Sequence, residues 1–392
     1  MPILHFHYTV RENSGEIRRI KNINRFVAGR LSDEIIELEF YPPKWRSYVR
    51  SSEGKFLLSE KVRKKYYKLI INRIFWLSKW YSSLVVGLLC WRYKPEYIIG
   101  EYGTAARSMH LVKKFSSKTK TIIDVHGASP EEYEYVYKDN MSRAKYLHIE
   151  DTERYGVKKA DYIICQSEEM KRHLITKYGA DASKITSYKC GVDMNVFSLD
   201  SERRVLMRRQ LGIGEKEIVF VYSGGMMKWQ KIEETLILFR DFHADNPNSR
   251  LLMLTLDAST LAQIVEQLNL KEIEKAMIVK TVSMNEVPDY LNAADVAFLL
   301  RDNVIMNAVA SPTKLGEYMA CGLPIITNEV AKKWTTPEAI DFLVFAEKEE
   351  NLNEAIISVI KKTNKKAIRE YAGKYLSVEK DTKNISQLFG LK

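Results

Sequence analysis

Short apolar runs rich in Val, Ile and Phe alternate with longer segments of helical periodicity along this 392-residue chain. In the first half the runs are 3–10 (ILHFHYTV), 34–40 (EIIELEF), 97–100 (YIIG), 121–127 (TIIDVHG), 162–167 (YIICQS) and 185–191 (ITSYKCG). In the second half they are 217–224, 250–256, 276–282, 296–301 and 324–329, with helices such as Glu233–Ala244 and Leu261–Leu270 between them. Strands buried on both faces read as continuous apolar runs, so this alternation predicts parallel sheets covered by helices on each side. Two successive sets predict two doubly wound, Rossmann-like α/β domains. The polar stretch 192–215 carries no strand and marks the break. The predicted limits are 1–195 for the first domain and 196–375 for the second, with a C-terminal helix at 376–392 packing back on the first.

Composition narrows the class. Apolar residues make up 45% and charged residues 28%, an ordinary globular balance. The four cysteines, Cys90, Cys165, Cys190 and Cys321, lie far apart, which argues against a disulfide framework or a zinc site and fits a reducing compartment. The N-terminus reads as a strand rather than a secretory leader. Net charge is +11, and residues 1–200 hold 35 Lys and Arg against 24 Asp and Glu, so the whole excess lies in the first half. Such a half suits an anionic partner.

The stretch SPTKLGEYMACGLPII (311–326) reads as a short helix. Ser311 is suited to the N-cap and Pro312 to the first helical position, and Gly322 and Pro324 end it. A helix start is an anion site through its free amides and its dipole. Thr313 and Lys314 add a hydroxyl and a cation there. Glu317 is four residues after Thr313, on the same face and about 6 Å along the axis. That step suits a diphosphate at the helix mouth and a ribose on Glu317, since a carboxylate accepts from two vicinal hydroxyls. The same residues also suit a plain capped helix with a solvated glutamate.

This stretch resembles the signature of the retaining glycosyltransferases of family 4 (glycosyl transferases group 1), which have the GT-B fold: two Rossmann-like domains facing a central cleft. There the second of two glutamates, spaced Glu–seven residues–Glu, binds the ribose, and backbone amides before it hold the diphosphate. Glu317 with YMACGLP matches the second glutamate. The first would fall on Val309, so its contact to the donor sugar needs a substitute, with Asp302, Asn303 and Asn307 the nearby candidates. Pro312, Lys314 and Glu317 follow the P-x-K-x-x-E variant of the motif.

Other stretches carry the resemblance further. VYSGGMMKWQKIEETL (221–236) is similar to the family's second phosphate loop, with Gly224 and Gly225 allowing close approach. The family's Arg falls on Gly225 and its Lys nearest Gln230, leaving Lys228 first and Lys231 second as diphosphate cations. KCGVDMNVF (189–197) resembles the element that closes the first domain. His126, just past a strand, matches a histidine near the donor sugar, with Asp124 and Glu101 as weaker strand-end candidates. Ser14 and Gly15 fit a substrate-approach loop, and Thr281, Val282 and Ser283 fall where the base is received.

Residues 61–94 hold nine Lys and Arg and no acid, with aromatic residues crowding Phe75–Tyr81. Read as one long helix, this stretch suits an anionic membrane surface, or a partly buried helix with basic ends. Nucleic acid is disfavoured, because the stretch is apolar as well as basic and no nucleic-acid motif accompanies it.

The resemblance implies transfer of a hexose-like sugar from a UDP- or GDP-linked donor to a glycan or lipid-linked acceptor. It also implies retention through front-side attack, without metal or cofactor, in bacterial surface polysaccharide synthesis. The expected place is the cytoplasm, peripheral on the inner face of the plasma membrane. Two alternatives stay open: a nucleotide-sugar-binding partner subunit without turnover, and a nucleotide-sugar epimerase of the same fold.

Overall fold

The computed structural model describes residues 2–8, 19–20, 22–24, 26–27, 35–41, 62–68, 75–380 and 382–389. The chain divides into two compact units, 1–190 with 381–392, and 191–380.

The first unit is built on a parallel sheet of β1 (Ile3–Tyr8), β2 (Ile35–Tyr41), β3 (Val62–Lys68), β4 (Tyr97–Glu101), β5 (Lys120–Val125), β6 (Tyr162–Cys165) and β7 (Ile185–Ser187). The order is β3-β2-β1-β4-β5-β6-β7, so the chain reverses its direction of winding between β1 and β4. Ligand crevices of doubly wound sheets open beyond the strand carboxyl ends at such a switch.

β3 corrects the expectation of one helix over 61–94. Val62–Lys68 pairs in parallel with β2, and a helix begins at Phe75 and runs to Tyr93. The sequence VRKKYYK has no apolar run because β3 is an edge strand, where lysines protect an open ladder from stray pairing. No described helix is long and apolar enough to cross a membrane.

The second unit carries β8 (Ile218–Ser223), β9 (Ser249–Leu254), β10 (Met277–Lys280), β11 (Val296–Leu299), β12 (Ile325–Thr327) and β13 (Leu343–Phe345), in the order β10-β9-β8-β11-β12-β13 and all parallel. Its switch point lies between β8 and β11. β8 shows why its sequence is apolar throughout. Val219 and Val221 enter one core layer, Phe220 and Tyr222 the other, and all four are fully buried. Phe220 meets Phe239, Phe242 and Phe298 with ring centroids 4.7–5.4 Å apart.

The chain enters the second unit at Gly191. Val192 bridges Ser377, and a Cβ on Gly191 would lie 2.5 Å from the Val378 backbone. The last helix, Thr382–Leu388, belongs to the first unit, with Phe389 edge-on to Tyr97 at 4.9 Å.

Candidate active site

In the second unit, the helix predicted at 311–326 runs from Thr313 to Ala320. Its start differs from the expectation: Pro312, with extended φ and ψ of −70° and 116°, takes the N-cap, and Ser311 precedes it. Proline's fixed φ suits either position, but here its ψ is still that of extended chain, so helical geometry begins one residue later. The helix ends as expected, with Gly322 in the left-handed region at φ 74°. Glu317 is 3% exposed, which removes the solvated-glutamate reading.

The first turn of this helix delivers Lys314 to the glycine turn after β8. Its Nζ donates to Gln230 Oε1 at 2.9 Å and Tyr222 Oη at 3.2 Å, and lies 4.5 Å from the centroid of the Tyr222 ring. A Cβ on Gly224, whose φ is 145°, would sit 2.1 Å from that Nζ. Gly224 is therefore required twice, by its backbone and by the ammonium beside it. Tyr318, on the same helix, accepts the Ser223 amide at 2.9 Å and locks helix to turn. Gly225 faces Asp257, and its carbonyl accepts from Tyr222 Oη at 2.6 Å.

The lysines of the loop itself lie differently. Lys228 is exposed in a single 3-10 turn. Lys231, in the left-handed region at φ 51°, pairs with Glu234 at 2.6 Å and Asp302 at 3.5 Å. Val282 packs partly buried against the core between exposed Thr281 and Ser283, and the Thr281 hydroxyl is taken by Thr255 O at 2.8 Å. Val309 is 4% exposed. Of its proposed substitutes, Asn307 is buried and donates to Asp302 O at 2.8 Å, and Asn303 is exposed. Gly15 and Ser14 lie outside the described residues.

One residue of this neighbourhood escaped the sequence reading. Arg301, two residues past β11, is 7% exposed. Its only sequence signal was a lone cation directly after an apolar strand.

In the first unit, His126 sits past the end of β5 with its side chain 3% exposed, and its Nε2 lies 2.7 Å from Glu101 Oε2. Glu101 also hydrogen-bonds His5 Nε2 through Oε1, and His5 Nδ1 lies 2.6 Å from Asn24 Oδ1. Asn24 and His7 both reach Glu37, at 3.2 and 3.1 Å. Burial opposes charge on His126, but Glu101 outweighs it and holds the imidazole pKa above its ordinary value. His5 is raised in the same way, and Glu101 is held below the carboxylate range against its own burial. Tyr102 takes a left-handed φ of 60° and lays its ring on His126, centroids 3.8 Å apart. Such a conformation is unfavourable for a bulky residue and persists where the surroundings dictate it.

Glu101, Asp124 and His126 bring ligand atoms within 4.8 Å of one another. Their carboxylate oxygens each already have a partner, however. Both Asp124 oxygens accept from buried Arg19 at 2.6 Å, and both Glu101 oxygens accept from the histidines. A cation there would share Asp124 with the Arg19 guanidinium, whose charge opposes it.

Comparison with known proteins decides the family. The model for glycosyl transferases group 1 matches residues 204–375, and that for Glycosyltransferase Family 4 matches 42–196. The chain belongs to the family 4 glycosyltransferases. Curated relatives include D-inositol 3-phosphate glycosyltransferases of Kineococcus radiotolerans and Geodermatophilus obscurus, each 25% identical over 189 residues. That match covers 45% of this chain and 42% and 40% of the relatives, less than half their length. Among solved structures, Anabaena HepE in complex with UDP superposes with a TM-score of 0.71 at 14% identity, covering 100% of both chains. WaaG, a glycosyltransferase of lipopolysaccharide biosynthesis, gives 0.69 at 11% identity, again covering 100% of both. These likenesses carry the two-domain α/β GT-B fold to this family 4 chain.

Proposed function

We propose that this chain transfers a sugar, with retention, from a nucleoside diphosphate donor to a hydroxyl of a glycan or lipid-linked acceptor. The observation that carries the reading is the pairing of Lys314 against Gly224 with buried Glu317 one turn further along the same helix. The amides at Thr313 and the Lys314 ammonium take the diphosphate, and Glu317 takes the ribose hydroxyls. As the glycosidic bond breaks, the leaving diphosphate gains negative charge, and groups already aimed at it stabilise that charge without reorganising. In this reading a departing phosphate oxygen removes the acceptor proton, and His126, oriented by Glu101 and Tyr102, binds a sugar hydroxyl.

The bound UDP of the HepE structure supports assaying uridine donors first, with guanosine donors beside them. The named activity of the curated relatives makes a phosphorylated polyol one acceptor class to assay. Isothermal titration with UDP and GDP, paired with a donor-hydrolysis assay, tests the reading. Glu317→Ala should weaken nucleotide binding by about 1.5–3 kcal/mol, the worth of hydrogen bonds to a charged group, with no loss of thermal stability. Collapse of stability with unchanged binding per folded molecule would overturn the assignment. Binding without turnover remains a second reading. It is favoured by buried Val309 standing where the family's first glutamate would act, and binding with no hydrolysis or transfer would select it.

Membrane association belongs to the same proposal. On the helix Phe75–Tyr93, Trp80, Leu84, Leu88 and Trp91 stand 46–62% exposed at intervals of four, four and three, which is one helical face. Arg92, Lys94, Lys113, Lys114, Lys118 and Lys120 are exposed as well, and residues 102–123 contain no acid. Aromatic and aliphatic side chains rimmed by lysine and arginine suit the boundary of an anionic bilayer, here the inner face of the plasma membrane. Two copies of so basic a face would repel each other, which favours lipid over self-association.

A further inference from the structure

Among the described residues Arg301 is a buried guanidinium with no ion pair. One nitrogen donates to its neighbour's carbonyl, Leu300 O, at 3.0 Å. The titratable groups whose charge acts on it are Tyr222 and Tyr318, with no carboxylate among them. Burial accordingly pushes its pKa below the ordinary arginine value, against the weaker pull of those two tyrosines. A buried charge without a counter-charge is costly, and proteins retain one where something else completes the pair.

Its backbone is fixed. Asn328, at the end of β12, accepts the Arg301 amide at 3.3 Å and donates to the Arg301 carbonyl at 2.6 Å. Thr327 Oγ1 donates to Leu299 O at 2.8 Å, tying the same two strand ends together. The guanidinium therefore starts from a rigid base at the carboxyl end of β11, beside the switch point of the sheet. Tyr222, one of those two tyrosines, also accepts the hydrogen bond of Lys314. Two cations thus border one tyrosine, and an anion between them would relieve both their desolvation and their repulsion. The two positions at which the family carries loop cations are Gly225 and Gln230 here; of the loop's own lysines, Lys231 is paired with Glu234 and Asp302, and Lys228 is exposed to solvent.

We infer that Arg301 is a second diphosphate-binding cation, acting with Lys314 where the family's own cation positions, Gly225 and Gln230, carry no charge. The inference rests on the proposed donor site and names the residue that completes it. A diphosphate suits the pair because it offers oxygens to both cations, and the guanidinium fork accepts two of them in one plane.

The test measures binding of UDP, GDP and inorganic pyrophosphate to the full chain by isothermal titration, together with the ligand-free melting temperature. Arg301→Met should weaken pyrophosphate and the favoured nucleoside diphosphate about 10- to 100-fold. It should change binding of the corresponding nucleoside by less than about threefold. The ligand-free melting temperature should hold or rise, because an uncompensated charge has been removed. Lost stability with retained diphosphate affinity would overturn the inference, since Arg301 would then be a structural residue. Should the Met variant fail to fold, Arg301→Lys and Arg301→Gln decide: the lysine variant must bind pyrophosphate more tightly than the glutamine variant, and equal binding rejects the inference. A wild-type chain that ignores UDP and GDP sinks the donor reading separately, and pyrophosphate still tests Arg301. Indifference of the wild type to all three rejects both.

Discussion

Two buried clusters, one in each unit, handle charge in opposite ways. In the first, every charge of the central network is answered within the protein: Arg19 by Asp124 through two bonds of 2.6 Å, and Glu101 by His5 and His126. In the second, beside the glycine turn, Arg301 has no ion pair among the described residues and Lys314 leans on the neutral oxygens of Gln230 and Tyr222, although elsewhere in that unit buried Arg208 is paired with Asp295. A charge answered internally fixes geometry and is worth stability. One held by neutral groups adds little to stability and keeps its charge available for a ligand. The contrast fits a first unit that shapes and orients, and a second that grips an anion.

The largest effect that could break this comparison concerns stability of the first unit. Asp124→Ala strands a buried guanidinium and should cost about 3–5 kcal/mol in denaturant unfolding. A loss under about 1 kcal/mol would mean that Arg19 finds another partner and the network is not what holds the unit.

Next comes the second unit, where the same kind of substitution should act on binding instead. Lys314→Met should weaken UDP or GDP by about 2 kcal/mol and leave the unfolding midpoint nearly unchanged. Gly224→Ala sharpens the point, because its new Cβ would occupy the space of the Lys314 ammonium. The double variant should bind no worse than either single one, since both remove the same contact. Additive losses would separate the two roles.

A smaller effect is expected at the exposed face of the helix Phe75–Tyr93. Trp80→Ser with Trp91→Ser should reduce sedimentation with phosphatidylglycerol vesicles roughly tenfold, about 1.4 kcal/mol, while UDP binding stays as it was. Equal binding to neutral vesicles, or no change in the variant, would remove the membrane from the proposal.

The smallest effect is the pH dependence of the first unit. His5 and His126 have folded pKa values above the ordinary 6.5, so their contribution is complete below 6.5 and is lost as pH rises through the folded values. Glu101 is shifted the other way from 4.5, so its contribution is present above 4.5 and is lost as pH falls towards its folded value. Stability from this network should therefore peak between about 4.5 and 6.5, and His126→Gln should flatten the alkaline side of that profile. A variant profile parallel to the wild type would show that the histidine is neutral in the fold.

Much of this molecule was legible from the chain alone, and the division follows the range of the forces involved. Central strands announce themselves because burial on both faces demands unbroken apolar runs, and Gly322 ends its helix by local backbone geometry. Edge strand β3 was read as helix because an edge is charged for protection, and β13 is too short to show a pattern. The N-cap was misplaced by one residue because proline's fixed φ suits both the cap and the first helical position. The family motif singled out Glu317 and His126 as candidates, but no local rule reveals that Glu317 is buried or that Glu101 holds two histidines.

The tertiary structure alone decided which charges meet. Lys314 reaches Tyr222 across 92 residues and Arg19 reaches Asp124 across 105, while buried Arg301 donates to Leu300 O and makes no ion pair among the described residues. Periodicity and capping are written in neighbours along the chain. Whether a buried cation is answered or left waiting depends on which distant strand ends the sheet order brings together.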